Sequence, residues 1–297
     1  MNAKAHLSSL IHDATEKLQH RCGVNALFEA RLLLGLSLGY DDAIYPHMHV
    51  EPSTQQIAFF HEIISERSAG KPLSRIRGWR EFWSMQFFLN KATLDPRPES
   101  ELLVEKAVSY AQSANFNNKN APRLLDLGTG SGCLLLACLN EIKQATGVGI
   151  DISHEAVFQA EENAKFHKLE ARSEFMVSNW FEKVTGSKFD IILCNPPYIS
   201  EDDKIELQDE VRIHDPEQAL LSENNGLSDY ELILSALAQF LNSDGIACVE
   251  IGFGQVQAVT EMALNSNLEV ESVYEDLQGI PRCLLLRQCN NMIFEKR

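Results

Sequence analysis

The chain has 297 residues, and its 26 Lys and Arg against 42 Asp and Glu leave a formal net charge of −16. At about 150 residues per domain this length holds two domains, and 44% hydrophobic with 23% charged residues excludes intrinsic disorder as the main description. The excess of acid also opposes a protein that coats duplex nucleic acid, because phosphate affinity comes largely from Lys and Arg.

The charge is unevenly placed. Residues 1–98 carry 11 basic and 10 acidic side chains, whereas residues 99–297 carry 15 and 32. Surfaces this different suggest two domains with different jobs. Met1-Asn-Ala-Lys-Ala-His6 lacks the apolar core of a signal peptide, and no apolar run approaches the ~20 residues of a membrane-spanning helix. Cys22, Cys133, Cys138, Cys194, Cys248, Cys283 and Cys289 form no C-x-x-C pair, and most sit in apolar runs. They read as reduced, buried small hydrophobes of a cytoplasmic protein.

Leu7, Leu10, Ile11, Ala14 and Leu18 fall at helical spacing, and Leu27, Ala30, Leu33, Leu34 and Leu38 repeat the pattern. Ser53-Thr-Gln-Gln56 is a capping-box pattern that opens a third helix, with Ile57, Phe60 and Ile64 on one face and a stop at Gly70. The aromatic stretch Gly78–Phe88 predicts a hairpin or extended bridge. Pro96-Arg97-Pro98 is a rigid connector, with Pro98 placed to open a helix through Ala107 and Ala111. The polar run Asn115–Asn120 reads as a loop. The expected divisions are a helical domain at 1–75, a hairpin and linker at 76–98, and a larger domain at 99–297.

From Pro122 short β-rich runs alternate with helical patterns. The runs are Arg123–Leu127, Gly147–Asp151, Phe175–Val177, Phe189–Cys194, Ile246–Ile251, Leu268–Tyr274 and Cys283–Arg287. This alternation predicts an α/β fold: a doubly wound, seven-stranded, mostly parallel sheet with helices on both faces. The short Asp276–Pro281 link predicts that the sheet ends in an antiparallel hairpin.

Leu124-Leu-Asp126-Leu-Gly128-Thr129-Gly130-Ser131-Gly132 runs from a strand through three glycines into an apolar helix. Glycines at the carboxyl end of a first strand let a ligand approach the backbone closely. The spacing is G-x-G-x-G, not the G-x-G-x-x-G of dinucleotide binders, and Asp126 sits inside the strand. That combination favours a nucleoside with a charged amino-acid tail. Asp151 ends the second strand, where an acid accepts hydrogen bonds from both ribose hydroxyls.

Asn195-Pro196-Pro197-Tyr198 follows the buried strand Phe189–Cys194 directly. An amide or exocyclic amino nitrogen is a poor nucleophile, because its lone pair is delocalised. The Asn195 side-chain carbonyl and the Pro196 backbone carbonyl are placed to accept one N–H each from a planar NH₂ group. This orients the group and favours the charge that develops on nitrogen as it attacks a methyl sulfonium. Proline adds no competing N–H, and Tyr198 is expected to stack on a flat substrate and pack against the cationic transition state.

Together these motifs resemble those of class I S-adenosylmethionine-dependent methyltransferases acting on nitrogen, which have a Rossmann-like sheet. More narrowly, the chain is similar over nearly its whole length to the release factor glutamine methyltransferase family. That family methylates the side-chain amide of the glutamine in the Gly-Gly-Gln motif of peptide chain release factors. Arg80-Glu81-Phe82-Trp83, Thr93–Pro98 with Glu101, Glu210-Val211-Arg212, Asp215-Pro216 and Val249-Glu250-Ile251-Gly252 match further family segments.

The resemblance implies S-adenosylmethionine as cofactor. Asp126 and Gly128 to Gly132 would lie at its methionine end, Asp151 at the ribose, Asn179 and Trp180 near the adenine, and Asn195 near the methyl donor. Asn195, Pro196, Pro197 and Tyr198 would bind the acceptor, with Asn195, Pro196 and Tyr198 as the catalytic set. The implied partner is a release factor, with no direct nucleic-acid or membrane contact, and the implied state is a monomer. Three departures stand out. Asn179 replaces a usual Asp; Asp95 and Glu99 alter the segment around Pro96; and Ser222-Glu-Asn-Asn-Gly226 is less glycine-rich than the family's loop.

A nucleic-acid adenine N6-methyltransferase, the strongest rival reading, uses the same tetrapeptide but needs base flipping and a positively charged channel, which is hard to build from the acidic residues 99–297. Relatives that methylate a ribosomal-protein glutamine tend to lack the second proline of Pro96-Arg-Pro98. A non-catalytic binding module has no use for Asn195 and Asp151 together. His47 and His49 lack a partnering cluster, and no metal site is expected. Trp79, Phe82, Trp83, Phe87 and Phe88 read as inter-domain core. The acidic run Glu201, Asp202, Asp203, Glu206, Asp209 and Glu210 is expected to rim the active site and attract a basic protein surface.

Overall fold

The computed structural model describes residues 3–113 and 121–289; the expected loop Asn115–Asn120 lies outside them. The chain divides into two compact units, one of residues 1–78 with 208–214, the other of 79–207 with 215–297.

The first unit opens with α1 (Ala3–Cys22), α2 (Ala26–Leu38), α3 (Thr54–Ser68) and the short α4 (Leu73–Arg77). Its core joins Leu7, Leu10, Ile11 and Leu18 of α1 to Ala30, Leu33 and Leu34 of α2 and to Phe60, Ile63 and Ile64 of α3. Each fully buried Leu or Ile contributes roughly 1.5–3 kcal/mol. Leu27, expected on the buried stripe, is 42% exposed and Ala26 takes the inward position, because α2 begins at that alanine. The capping box forms: the Ser53 hydroxyl accepts from the Gln56 N–H at 3.2 Å, and the Ser53 N–H donates to Gln56 Oε1 at 2.9 Å.

The second unit starts with β1 (Trp79–Phe82) and β2 (Met85–Phe88), an antiparallel hairpin. A 3-10 turn at Pro98–Ser100 leads into α5 (Glu101–Ala111), then β3 (Arg123–Leu127), α6 (Cys133–Glu141), β4 (Thr146–Asp151), α7 (His154–Phe166), β5 (Ser173–Val177) and β6 (Phe189–Cys194). After β6 the chain lends α8 (Asp209–His214) to the first unit. It returns through α9 (Glu223–Gly226), α10 (Ser228–Phe240), β7 (Leu241–Glu250), α11 (Val256–Asn265), β8 (Leu268–Glu275) and β9 (Pro281–Gln288).

The seven-stranded sheet has the order β5-β4-β3-β6-β7-β9-β8. Pairing is parallel from β5 to β7, and β9 is antiparallel to both β7 and β8. Alternate residues of each strand feed opposite faces. Leu124, Ile191 and Leu193 pack with Leu103, Val104 and Ala107 of α5 and with α6. Leu125, Ile192 and Cys194 pack with Tyr230, Ile233 and Leu234 of α10 and with α11. The doubly wound expectation is therefore met.

Phe82 and Phe87 are buried within the second unit's own core, with Trp83 packed on the same cluster. The hairpin is aromatic because it caps the edge formed by α5, α6 and α7. The strand order reverses between β3 and β6, so the crevice at their carboxyl ends is the switch point where α/β sheets bind ligands.

Within the first unit, Arg67 is 6% exposed. Its Nε lies 2.6 Å from Glu29 Oε2 and its Nη1 2.6 Å from Glu210 Oε1 of α8. A buried guanidinium needs such partners on its fork of donors.

Candidate active site

The glycine loop follows β3 at the switch point. Gly128 and Gly130 hold φ of +69° and +55°, a region that side chains with a Cβ rarely adopt. A Cβ on Gly130 would meet nothing within 4 Å, so the loop faces open space there. At Gly132 a Cβ would stand 3.2–3.3 Å from Ala160, Leu136 and Phe175; this glycine serves helix packing.

Two acids hold the loop from either side. The Thr129 hydroxyl donates to Asp126 Oδ2 at 2.6 Å. Asp126 is fully buried, and desolvation pushes its carboxyl up to about 7 against that hydrogen bond. Asp151, at the end of β4, accepts the Gly130 N–H on Oδ2 and the Ser153 N–H on Oδ1, both at 2.9 Å. Burial raises its pKa while these backbone donors oppose the rise.

A cavity of about 320 Å³ opens at this point. Gly128, Gly130, Asp151, Asn179, Trp180, Asn195 and Pro197 line it, so the structure brings together residues from the loops after β3, β4, β5 and β6. Asp126, Thr129, Ser131 and Gly132 are not on its wall; Asp126, Thr129 and Ser131 are buried side chains of the loop's support. Leu94, within the Thr93–Pro98 segment, also lines the cavity, as do Ala92, Ser153, Ser178, Gln218 and Asp229, which no sequence motif announces. They arrive on connecting segments whose folding back depends on tertiary contacts.

Pro196 and Tyr198 do not reach the cavity wall. The Tyr198 ring packs on the core beneath α10, and its hydroxyl donates to Glu250 Oε1 at 3.4 Å. Burial raises the phenol's pKa, with the Glu250 carboxylate adding to the rise. In the structure the half-buried Tyr198 turns its hydroxyl to Glu250, since a phenol O–H withdrawn from water follows its hydrogen-bond partner.

Asn195 lies on the wall, and its Nδ2 donates to the Ser100 hydroxyl at 3.0 Å. Ser100 Oγ in turn donates to Glu250 Oε2 at 2.6 Å. Glu250 is 1% exposed, and burial pushes it up to about 7 while the Ser100 hydroxyl and Arg282 pull it back. An acid inside the apolar run Ile246–Ile251 was the available signal for Glu250; nothing local marks Ser100.

The family departures have structural accounts. Asn179 is exposed and its Nδ2 donates to Glu182 Oε1 at 3.1 Å, so its NH₂ is engaged within the loop. Asp95 is buried, with Oδ1 3.8 Å from Arg80 Nε. In the loop before α10, Asn224 and Asn225 both adopt left-handed backbone, at φ 53° and 56°, a role asparagine fills next best after glycine.

The acidic run divides. Glu201, Asp202, Asp203 and Glu206 are exposed after the tetrapeptide, but none lines the cavity. Glu210 is taken up by Arg67 and Asp209 by Arg212. Among the described residues no cluster of His, Cys, Asp or Glu could hold a metal ion, and no helix is long and apolar enough to cross a membrane.

The cavity lies within the roughly 300–1,000 Å³ range of small-molecule sites. Its open glycine backbone, strand-terminal Asp151 and Trp180 suit a nucleoside with an amino-acid tail. Residues 106–224 match the family model of the Methyltransferase small domain, and residues 9–78 that of the PrmC N-terminal domain. In fold, the catalytic domain of hMettl16, solved with MAT2A 3′UTR hairpin 1, is alike at a TM-score of 0.53 and 14% identity, covering 77% of this chain and 81% of that one. Fold and matched domain define a class I methyltransferase that uses S-adenosylmethionine.

The release factor glutamine methyltransferase of Agrobacterium fabrum (strain C58) is 38% identical over 96% of this chain and 98% of that protein. A bifunctional methyltransferase of Rickettsia felis is 33% identical over 96% of this chain, which spans 58% of that longer protein. The chain belongs to the release factor glutamine methyltransferase family.

Proposed function

We propose that this protein methylates the side-chain amide nitrogen of a glutamine, that of the Gly-Gly-Gln motif of peptide chain release factors, in the cytoplasm and as a monomer. Asn195 carries the assignment: an acceptor-orienting amide lines the same cavity as Gly128, Gly130 and Asp151. When bound, S-adenosylmethionine supplies an electrophilic methyl group on a sulfonium.

The residues of this chain then divide the work. The open backbone at Gly128 and Gly130 leaves room for the methionine end, with Asp126 bracing the loop through Thr129. Asp151 offers its remaining lone pairs to the ribose hydroxyls, and Trp180 and Asn179 bound the adenine end. The Asn195 side-chain carbonyl accepts an N–H of the glutamine amide and holds its nitrogen toward the methyl group, while Pro196, off the cavity wall, shapes the strap that carries Asn195. Pro197 closes the wall without an N–H that would compete. Tyr198 acts from behind, fixing the strap to Glu250. No base is needed before transfer, since the product loses its proton afterwards.

The helical unit is proposed to recognise the release factor, and Glu201, Asp202 and Glu206 to attract its basic surface. A protein acceptor, not nucleic acid, suits a chain of net charge −16. The test is incubation with labelled S-adenosylmethionine, a release factor, a ribosomal protein and DNA, followed by mass spectrometry. Label on the Gly-Gly-Gln glutamine is expected; label confined to the ribosomal protein or to DNA would overturn the assignment.

A further inference from the structure

We propose that Ser100 and Glu250 are positioning residues for Asn195, a buried relay that sets which end of its side-chain amide faces the acceptor. The inference deepens the proposed methyl transfer and rests on that reading of Asn195.

An asparagine amide is nearly symmetric in shape and opposite in hydrogen bonding at its two ends. With the carbonyl toward the cavity, Asn195 accepts an N–H from an incoming NH₂ group. Flipped, it presents N–H to N–H, and the acceptor is repelled. Something must hold the productive orientation, because rotation of the amide alone changes the shape of the site very little.

The relay supplies it through polarity. Glu250, at the end of β7, is acceptor-only when ionised. Its Oε2 takes the Ser100 proton across 2.6 Å, a short, charge-assisted contact. With its proton committed, Ser100 Oγ presents only lone pairs to Asn195, 3.0 Å away. Only the NH₂ end of Asn195 satisfies it. The other Glu250 oxygen accepts from Tyr198, and the Glu250 backbone carbonyl accepts from the Tyr230 hydroxyl at 3.0 Å, so the acid is anchored on several sides.

Both relay members are placed by the fold. Ser100 is 3% exposed at the end of the Pro98–Ser100 turn that opens α5, and Glu250 is 1% exposed. They stand 150 positions apart in the chain. A buried carboxylate is costly to keep, and neither side chain lines the cavity.

The test uses the full-length enzyme with two readouts. In protein labelled with ¹⁵N-asparagine, the Asn195 side-chain NH₂, identified by its loss in Asn195→Ala, should show exchange slowed at least tenfold relative to exposed asparagines. Ser100→Ala should abolish that protection and Ser100→Thr, which keeps the hydroxyl, should restore it. In methylation of a release factor, Ser100→Ala should lower kcat about 10- to 100-fold, with KM and the Kd for S-adenosylhomocysteine within about twofold. Ser100→Thr should recover kcat to within about threefold.

Should Ser100→Ala unfold, Ser100→Cys, similar in volume with a weakly bonding thiol, should show the same loss of protection. Protection that survives loss of the hydroxyl, or a kcat loss matched by the cofactor Kd, would overturn the relay. Absence of release factor methylation by the wild-type protein, with the protection pattern intact, would sink the proposed acceptor and leave the relay standing.

Discussion

Gly226 lies so close to Tyr198 that a Cβ built on its backbone would stand 2.1 Å from the Tyr198 carbonyl oxygen. The same carbonyl accepts from Gln255 Nε2 at 3.0 Å, and Gln255 Oε1 accepts from the Gly252 N–H at 3.0 Å. The Asn195–Tyr198 strap is thus clamped at its Tyr198 end. Gly226 also has φ +77°, so both sterics and backbone conformation exclude a side chain there.

Gly226→Ala should therefore destabilise the protein by about 2–4 kcal/mol, since the clash is with backbone, which cannot swing aside. Differential scanning calorimetry should register a fall in the melting midpoint of roughly 5–10 °C. An unchanged midpoint would mean that the strap is looser than this packing requires.

Asn195→Ala removes the carbonyl proposed to orient the acceptor while leaving Gly128, Gly130 and Asp151 in place. Turnover should fall about 10²–10³-fold, with S-adenosylhomocysteine binding weakened by about fivefold or less, measured by titration calorimetry. Near-normal turnover would remove Asn195 from the acceptor role.

The exposed acids after the strap are proposed to act at longer range. Reversing Glu201 and Asp202 to Lys should slow association with a release factor about 3- to 10-fold at low salt. The two proteins should converge as salt shortens the Debye length to a few ångströms. Stopped-flow on-rates that are equal at low salt would exclude an acidic docking rim.

Asp126 and Glu250 are both held near 7 by burial, above the usual carboxylate range. In each case the folded state binds its proton more tightly than the unfolded state. Their contribution to stability is therefore full below about pH 4 and is lost as pH rises toward 7. Asp126→Asn and Glu250→Gln should each flatten the decline of unfolding free energy between pH 5 and 7, as read by urea titration at several pH values. A slope unchanged by either substitution would show that the carboxyls titrate normally.

Much of the architecture is legible without coordinates. Arg123–Leu127 and Phe189–Cys194 are strands over the expected residues, because short apolar runs between turn-forming residues have few alternatives. β7 begins at Leu241, five residues before the apolar run, since the polar Asn242–Gly245 stretch is carried into the ladder past a bulge by the pairing of Leu241 with Phe189. α4 went unforeseen, being only five residues long and opened by Pro72. The aromatic hairpin was legible as a hairpin but not in its packing, for its partners lie on α5 to α7.

The site shows the same division. Glycines, a strand-terminal acid and Asn-Pro-Pro-Tyr are contiguous signals, and each residue type is required by local backbone or local chemistry. Glu250 is marked only as an acid inside an apolar run, and Ser100 and Gln255 leave no mark, because what matters is the partner each meets in the fold.

The uneven charge of −16, the order of strands and helices, and the chemistry of the two loops follow from the sequence alone, since composition, periodicity and turn residues act over short range. Which acids remain at the surface and which are consumed, Glu201 on one side and Glu210 or Glu250 on the other, was decided only by the tertiary structure. So was the way Asn195 is held. Burial and partner geometry join residues far apart in the chain, and they turn a neutral amide into an oriented one.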